Sequence, residues 1–218
     1  MRVAVLSSGG KDSAAAIWWT MCKGWDIVAI VTVHVQGDDS HMFQLPGTHL
    51  VGMQAEVMKI PWVEVNTLGD GTQHDDIHNL SLALSRLDID GFVTGALRSD
   101  FQKTRLERMA HQLNIKSWTP LWHQKGADHL KGMIEHGFQI LLTSVSTDGL
   151  GPEWLGKILR IEDYHTLLTL SQTFRFNIDG EGGEYETYVL AGPHMPHEVK
   201  VNFHRIWEER RGHLEFIE

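Results

Sequence analysis

The sequence specifies an α/β fold: a parallel sheet covered by helices on both faces, followed by a smaller α+β region. Apolar strand-like runs alternate with helical patterns through the first half of the chain. Those runs are apolar almost throughout, as strands buried on both faces must be. The 218 residues also suffice to bury a substantial core, as one large domain or two small ones.

In chain order, Val3 to Leu6 is a short apolar strand, and Ser13 to Lys23 opens with alanines, the best helix formers. Ile27 to His34 is a β-branched run that reads as the second strand. Leu50 to Met58 is a looser helical stretch, Trp62 to Asn66 the third strand and Asp75 to Leu87 the third helix. Gly91 to Gly95 reads as a strand and Ile115 to Trp118 as a short one. Between them, Asp100 to Leu113 reads as a helix with Phe101, Leu106, Met109 and Leu113 on its apolar side. Crossovers of this length are right-handed. After Pro120 the rhythm changes to a helix at Asp128 to His136, a strand at Gln139 to Val145, a glycine-rich loop and a helix at Glu162 to Phe174. A strand-rich end follows, opening with Tyr185 to Leu190. A boundary near Trp122 separates residues 1–122 from 123–218, and neither part carries a repeat or a low-complexity tract.

Composition narrows the function. No stretch approaches the roughly 20 apolar residues of a membrane span, and the first apolar run is too short for a signal peptide core. The expectation is a cytoplasmic protein without a membrane partner. The single cysteine, Cys22, excludes an internal disulfide and a four-cysteine zinc site, and reads as a buried, inert thiol. A net charge of −9 argues against a protein that coats nucleic acid, since such binding rests on lysine and arginine. A discrete partner or small substrate is expected.

The chemistry begins at AVLSSGGKDSAAAIWW, Ala4 to Trp19. A turn between the first strand and first helix lies where parallel α/β sheets bind ligands. Gly9 and Gly10 let the backbone approach an anion, and the helix behind them offers N–H groups and a positive dipole end. It is not a Walker A loop, which needs glycine where Val5 stands and serine or threonine where Asp12 stands. A carboxylate at Asp12 repels phosphates unless a divalent cation lies between them. The plainer reading is an ordinary strand-to-helix turn capped by Ser8 or Asp12.

SGGKDS behind an amino-terminal strand resembles the PP-loop of the N-type ATP pyrophosphatases, which cleave ATP between the α- and β-phosphates. Further blocks run through nearly the whole chain: SHMFQLPGTHLVGMQAEVMKIP (Ser40 to Pro61), GFVTGALRSDFQKTRLERMAHQLNI (Gly91 to Ile115), TPLW (Thr119 to Trp122), GLGPEWLGKIL (Gly149 to Leu159) and GEGGEYETYVL (Gly180 to Leu190). Together they resemble the diphthine ammonia ligase family in its short archaeal form. That resemblance implies a Rossmann-like sheet of the adenine nucleotide alpha hydrolase type. It also implies an enzyme that activates the diphthine carboxylate of translation elongation factor two with ATP and amidates it with ammonium, giving AMP and pyrophosphate. ATP and Mg²⁺ are the implied cofactors, elongation factor two and ammonium the implied partners, and a homodimer is compatible with it.

Carried onto this chain, the resemblance assigns ATP to Ser7, Ser8, Gly9, Gly10, Lys11, Asp12 and Ser13. Lys11 and Asp12 serve catalysis, with Asp12 on Mg²⁺. By fold analogy the adenine lies near Val33 and His34, with Gly95 and Ala96 allowing close approach. Adenylation is chemically sensible, because it replaces an oxide leaving group by AMP. Ammonium must lose a proton before it attacks, and an acidic pocket concentrates the cation and supplies a base. Glu181, Glu184 and Glu186, set among Gly182 and Gly183, suit that task. They equally suit holding the substrate's cation, with Tyr185 or Trp154 as an aromatic face, and composition alone leaves open a solvated acidic turn. Ser99, Gln102, Arg105 and Thr187 complete the implied substrate contacts; Lys103, Arg105 and Arg108 read equally as a solvated helix face. Gln44 and Gly47 depart from the family, which carries histidine and asparagine there. His74 and His78 stand one helical turn apart and read as a helix start rather than a metal pair. Two other functions are compatible with the motifs: an ATP pyrophosphatase that modifies transfer RNA, and a nucleotide-binding module without catalysis. The first generally shows additional cysteines and basic surfaces; the second does not need Asp12 together with the EGGEYE carboxylates.

Overall fold

The computed structural model describes residues 1–36, 50–68 and 73–217. The chain divides into two compact units, Met1–Trp122 and His123–Glu218, each with its own sheet.

The first unit runs β1 (Arg2–Leu6), α1 (Lys11–Cys22), β2 (Asp26–Gln36), α2 (Val51–Met58), β3 (Trp62–Leu68), α3 (Gln73–Ser85), β4 (Gly91–Thr94), α4 (Asp100–Gln112) and β5 (Lys116–Trp118). All five strands are parallel, in the order β3-β2-β1-β4-β5. The two-residue period of a strand sends successive side chains to opposite faces. Val3 and Val5 of β1 accordingly join Ala16, Ile17, Val51 and Ala55, which places α1 and α2 on one face. Ala4 and Leu6 join Leu80, Leu84, Leu106 and Met109, which places α3 and α4 on the other. A strand covered twice has no room for polar alternation, which is why VAVL reads as an unbroken apolar run. Trp25 bridges two other indoles of this unit, its ring 5.2 Å from Trp19 and 4.7 Å from Trp118.

From β1 the chain winds outward to β2 and β3, then returns to place β4 on β1's other side. The turns after β1 and β4 therefore leave the same carboxyl edge in opposite directions, and the crevice between such turns is where open α/β sheets take ligands.

The second unit runs α5 (Gly126–Glu135), β6 (Gln139–Val145), α6 (Ile161–Phe174), β7 (Tyr185–Ala191), β8 (Asn202–Glu208) and β9 (Arg211–Ile217). Its antiparallel sheet has the order β7-β6-β9-β8. The block around EWLGKIL also lies along β6: Leu142 donates its N–H to the Lys157 carbonyl, and Gly156 donates to the Leu142 carbonyl, each at 2.9 Å. Asp179, 1% exposed, sets its carboxylate against Gly126, the first residue of α5. A negative group is favoured at that end of a helix.

Two expectations change. Cys22 is exposed, because α1 turns Ser13, Ala14, Ala15, Ala16, Ile17 and Thr20 inward and its last residue falls on the solvent side. Phe101 is 38% exposed rather than on the apolar face of α4, and the Arg105 guanidinium lies 3.3 Å from its ring centroid. Among the described residues, no helix is long and apolar enough to cross a membrane.

Candidate functional site

The turn from β1 into α1 is built by its own small side chains. Ser7 continues the pairing of β1, its N–H donating to the Val31 carbonyl at 2.9 Å. Gly9 then takes φ +83, a backbone conformation that glycine reaches without the penalty other residues meet. Its N–H returns to Ser7 Oγ at 3.1 Å, and Ser7 Oγ in turn meets Ser13 Oγ at 3.1 Å. Ser13 Oγ donates to the Gly10 carbonyl at 3.0 Å. The cap position of α1 falls on Gly10, which has no side chain to offer the first turn. The plainer reading, with Ser8 or Asp12 as the capping residue, thus gives way to a loop closed from within by Ser7 and Ser13. Ser8 is half-buried.

Lys11 is buried, with only 6% of its side chain exposed, and its Nζ lies 2.7 Å from Asp12 Oδ2. The pair holds a cation and a carboxylate together at the positive end of α1. Among the described residues, no three of His, Cys, Asp and Glu gather as a metal site. Mg²⁺ does not need such a cluster, since it commonly takes one or two carboxylates plus substrate phosphates and water instead of an all-protein cage. Asp12 is the one carboxylate that the turn from Ser7 to Ser13 offers to such an ion.

The rest of the carboxyl edge is mixed. Val33 is 5% exposed and packs in the apolar cluster with Val31 and Val65, so its side chain belongs to the core and only its backbone borders the edge. His34 lies 3.4 Å from Glu64 and edge-on to Trp62. Gly95 permits a close approach, but by the chain itself: a Cβ there would stand 2.5 Å from the carbonyl carbon and oxygen of Asp12. The missing side chain lets β4's exit press against the first turn of α1. Ala96 follows, half-buried. Ser99 is the N-cap of α4, its side chain accepting from the Gln102 N–H at 3.3 Å. Arg105 donates to the Phe101 carbonyl at 3.2 Å in addition to covering that ring. Lys103 reaches Glu107 and the face of Trp122, as a solvated helix face does.

One residue at this site escapes sequence reasoning. Gln54, 3% exposed on α2, donates Nε2 to the Gly9 carbonyl at 3.1 Å. The available signal is a glutamine between the inward-facing Val51 and Ala55, where a buried amide must find a polar partner.

In the second unit the GEGGEYET segment is an ordered turn, and it divides the three glutamates. Glu184 Oε1 accepts from both the backbone N–H and the side-chain Nδ2 of Asn177, at 2.8 Å each, and Oε2 accepts from the Gly182 N–H at 2.8 Å. Three donors on one carboxylate make it the brace of the turn. Gly180 and Gly183 take φ +73 and +80 to let the chain close, and Ser146 Oγ donates to the Gly183 carbonyl at 2.5 Å. A Cβ at Gly182 would stand 2.7 Å from Glu184 Oε1, so its bareness admits the brace. Glu181 is exposed at the turn's tip, and Glu186 is half-buried on β7 opposite Ser144.

Neither aromatic is a free face for a cation. Tyr185 is 2% exposed with its hydroxyl donating to the Ile178 carbonyl, and Trp154 is 4% exposed with Lys157 Nζ 4.9 Å from its ring centroid. Thr187 is buried in β7 opposite Leu142. Ser146 also borders a cavity of about 650 Å³ lined by Glu208, Glu209, Arg210 and Arg211 of the β8–β9 hairpin. Gln44 and Gly47 lie outside the described residues, as does the side chain of His74.

Residues 1–117 match the model of the diphthamide synthase N-terminal domain, and residues 112–218 that of the diphthamide synthase C-terminal domain. Similar proteins include the diphthine–ammonia ligases of Rattus norvegicus, 34% identical, and of Homo sapiens, 33% identical, each over 93% of this chain and 83% of the relative. The diphthine–ammonia ligase of Schizosaccharomyces pombe is 30% identical over the whole of this chain and 39% of its own length. With both family models matched in order and spanning it from end to end, the chain belongs to the diphthamide synthase family.

Proposed function

We propose that this protein is an ATP-dependent ligase that amidates the diphthine carboxylate of translation elongation factor two, through an acyl-adenylate. The observation that carries the reading is the Ser7–Ser13 loop, with Gly9 left-handed at the amino end of α1 and at the switch point of a parallel sheet. Family membership and the names of the relatives supply the substrate.

In the first half-reaction a carboxylate oxygen attacks the α-phosphorus of ATP, and the bond to the bridging oxygen breaks, releasing pyrophosphate. The backbone from Ser8 to Ser13 and the Lys11 cation serve the leaving phosphates, where negative charge develops. Ser7 and Ser13 keep that loop in shape before substrate arrives. In the second half-reaction ammonium gives up a proton and the resulting ammonia attacks the acyl carbon, with AMP leaving. We assign the proton to Glu181 or Glu186, since Glu184 is engaged in bracing its own turn.

The deciding assay combines the protein, ATP, magnesium, ammonium and diphthine-bearing elongation factor two, with and without Asp12→Ala. The expected outcome is factor-dependent AMP and pyrophosphate, reduced at least 100-fold by the substitution. ADP and orthophosphate as products, or AMP formed equally without the factor, overturn the reading. Free ammonium is the expected nitrogen donor; better turnover with glutamine would contradict that.

A further inference from the structure

We infer that Gln54 is a positioning residue for the phosphate-binding loop, acting through the Gly9 carbonyl to aim the Gly10 N–H. The inference rests on the ATP-dependent reading above and extends it to a residue on a separate helix.

The peptide between Gly9 and Gly10 joins two residues without side chains, and Gly9 already sits at φ +83. Glycine populates positive and negative φ about equally, so little within this dipeptide opposes rotation of the peptide plane between two orientations. One orientation presents an N–H to an anion and the other presents a carbonyl oxygen, which repels it. In a trans peptide the C=O and N–H point in opposite directions, and the chain contains no cis peptide among the described residues. Fixing the Gly9 oxygen therefore fixes the Gly10 N–H.

Gln54 supplies that restraint from outside the loop. Its Nε2 reaches the Gly9 oxygen at 3.1 Å across 45 positions of sequence, from a side chain 3% exposed. Its helix is itself immobilised, because Val51 and Ala55 on either side of it pack in the same cluster as Ala16 and Ile17 of α1. The next peptide is held differently. The Gly10 oxygen accepts from Ser13 Oγ and from the Ala14 N–H, both at 3.0 Å, within α1's own first turn. The Lys11 N–H is thus aimed by local contacts and the Gly10 N–H by a remote one. Removing the remote donor frees one amide only.

The test compares full-length wild type with Gln54→Met, similar in length without a donor, and Gln54→Glu, which sets an acceptor against the Gly9 oxygen. Loss of one aimed hydrogen bond weakens ATP binding by roughly three- to tenfold in Gln54→Met, and by more in Gln54→Glu. In the AMP-forming assay KM for ATP rises by the same factor while KM for ammonium is unchanged. The ligand-free melting temperature of Gln54→Met stays within a few degrees of wild type. A fall in melting temperature with unchanged ATP affinity makes Gln54 merely structural and overturns the inference. A measurement on wild type alone guards against misfolded variants: the Gly10 amide resonance must shift when ATP binds, and an unmoved Gly10 amide beside shifted neighbours also overturns it. Wild type that takes up no ATP sinks the proposed function itself, whereas wild type and variants that bind it equally sink only the role of Gln54.

Discussion

At Glu184 a single carboxylate meets two backbone N–H groups and one side-chain amide, and closes a turn that three glycines make possible. Glu184→Gln replaces one acceptor oxygen by a donor facing another N–H, which costs about 1–3 kcal/mol in urea unfolding. Glu181→Gln, at the exposed tip, stays within about 0.5 kcal/mol while lowering turnover if it serves as base. His194 offers a separate check. It is 8% exposed, stacks on Phe138 at 5.4 Å, and its Nδ1 has no hydrogen-bond partner among the described residues. Burial lowers its pKa from 6.5 to about 4, so the folded protein keeps the ring neutral where the unfolded chain takes up a proton. Its contribution is fully present above pH 6.5 and is lost as pH falls toward 4. Between pH 7 and pH 4.5 that loss amounts to about 2 kcal/mol, and His194→Leu should flatten the measured pH dependence by this amount whatever it does to stability at pH 7.

Among elements, the contact between the end of β4 and the start of α1 carries most consequence. Gly95→Ala drives a Cβ into the Asp12 backbone, where no flexible side chain can yield. Displacing that turn costs about 2–4 kcal/mol and weakens ATP binding together with stability, by calorimetry and thermal melting. The element pattern is largely legible because strands covered twice must be apolar and their crossovers helical. The opening turn is legible because serine, glycine, lysine and aspartate in that order have few other reasons to meet behind a strand. Three things are not legible. Gln54 touches Gly9 only once α2 packs on the face that α1 occupies, a tertiary fact. The clustering of Glu181, Glu184 and Glu186 gives no hint that Asn177 claims the middle one. The bounds of β8 within the strand-rich end are the third, because its residues are exposed on both faces and lack the clean alternation that β9 shows.

On the scale of the whole molecule, two sheets with separate buried sets lie on either side of Trp122. The order β3-β2-β1-β4-β5 and both covering helix layers are complete within residues 1–122. A chain cut after Trp122 should therefore fold and bind ATP, measurable by circular dichroism and calorimetry. It should form no AMP from diphthine-bearing factor, because the EGGEYE turn is gone. The tryptophans are shared unequally between the two halves, six of the eight falling at or before Trp122. Indole emission during denaturation will thus report mainly on the amino-terminal half, whereas ellipticity follows the helices and strands of both. Any gap between the two curves would time the halves separately without a label.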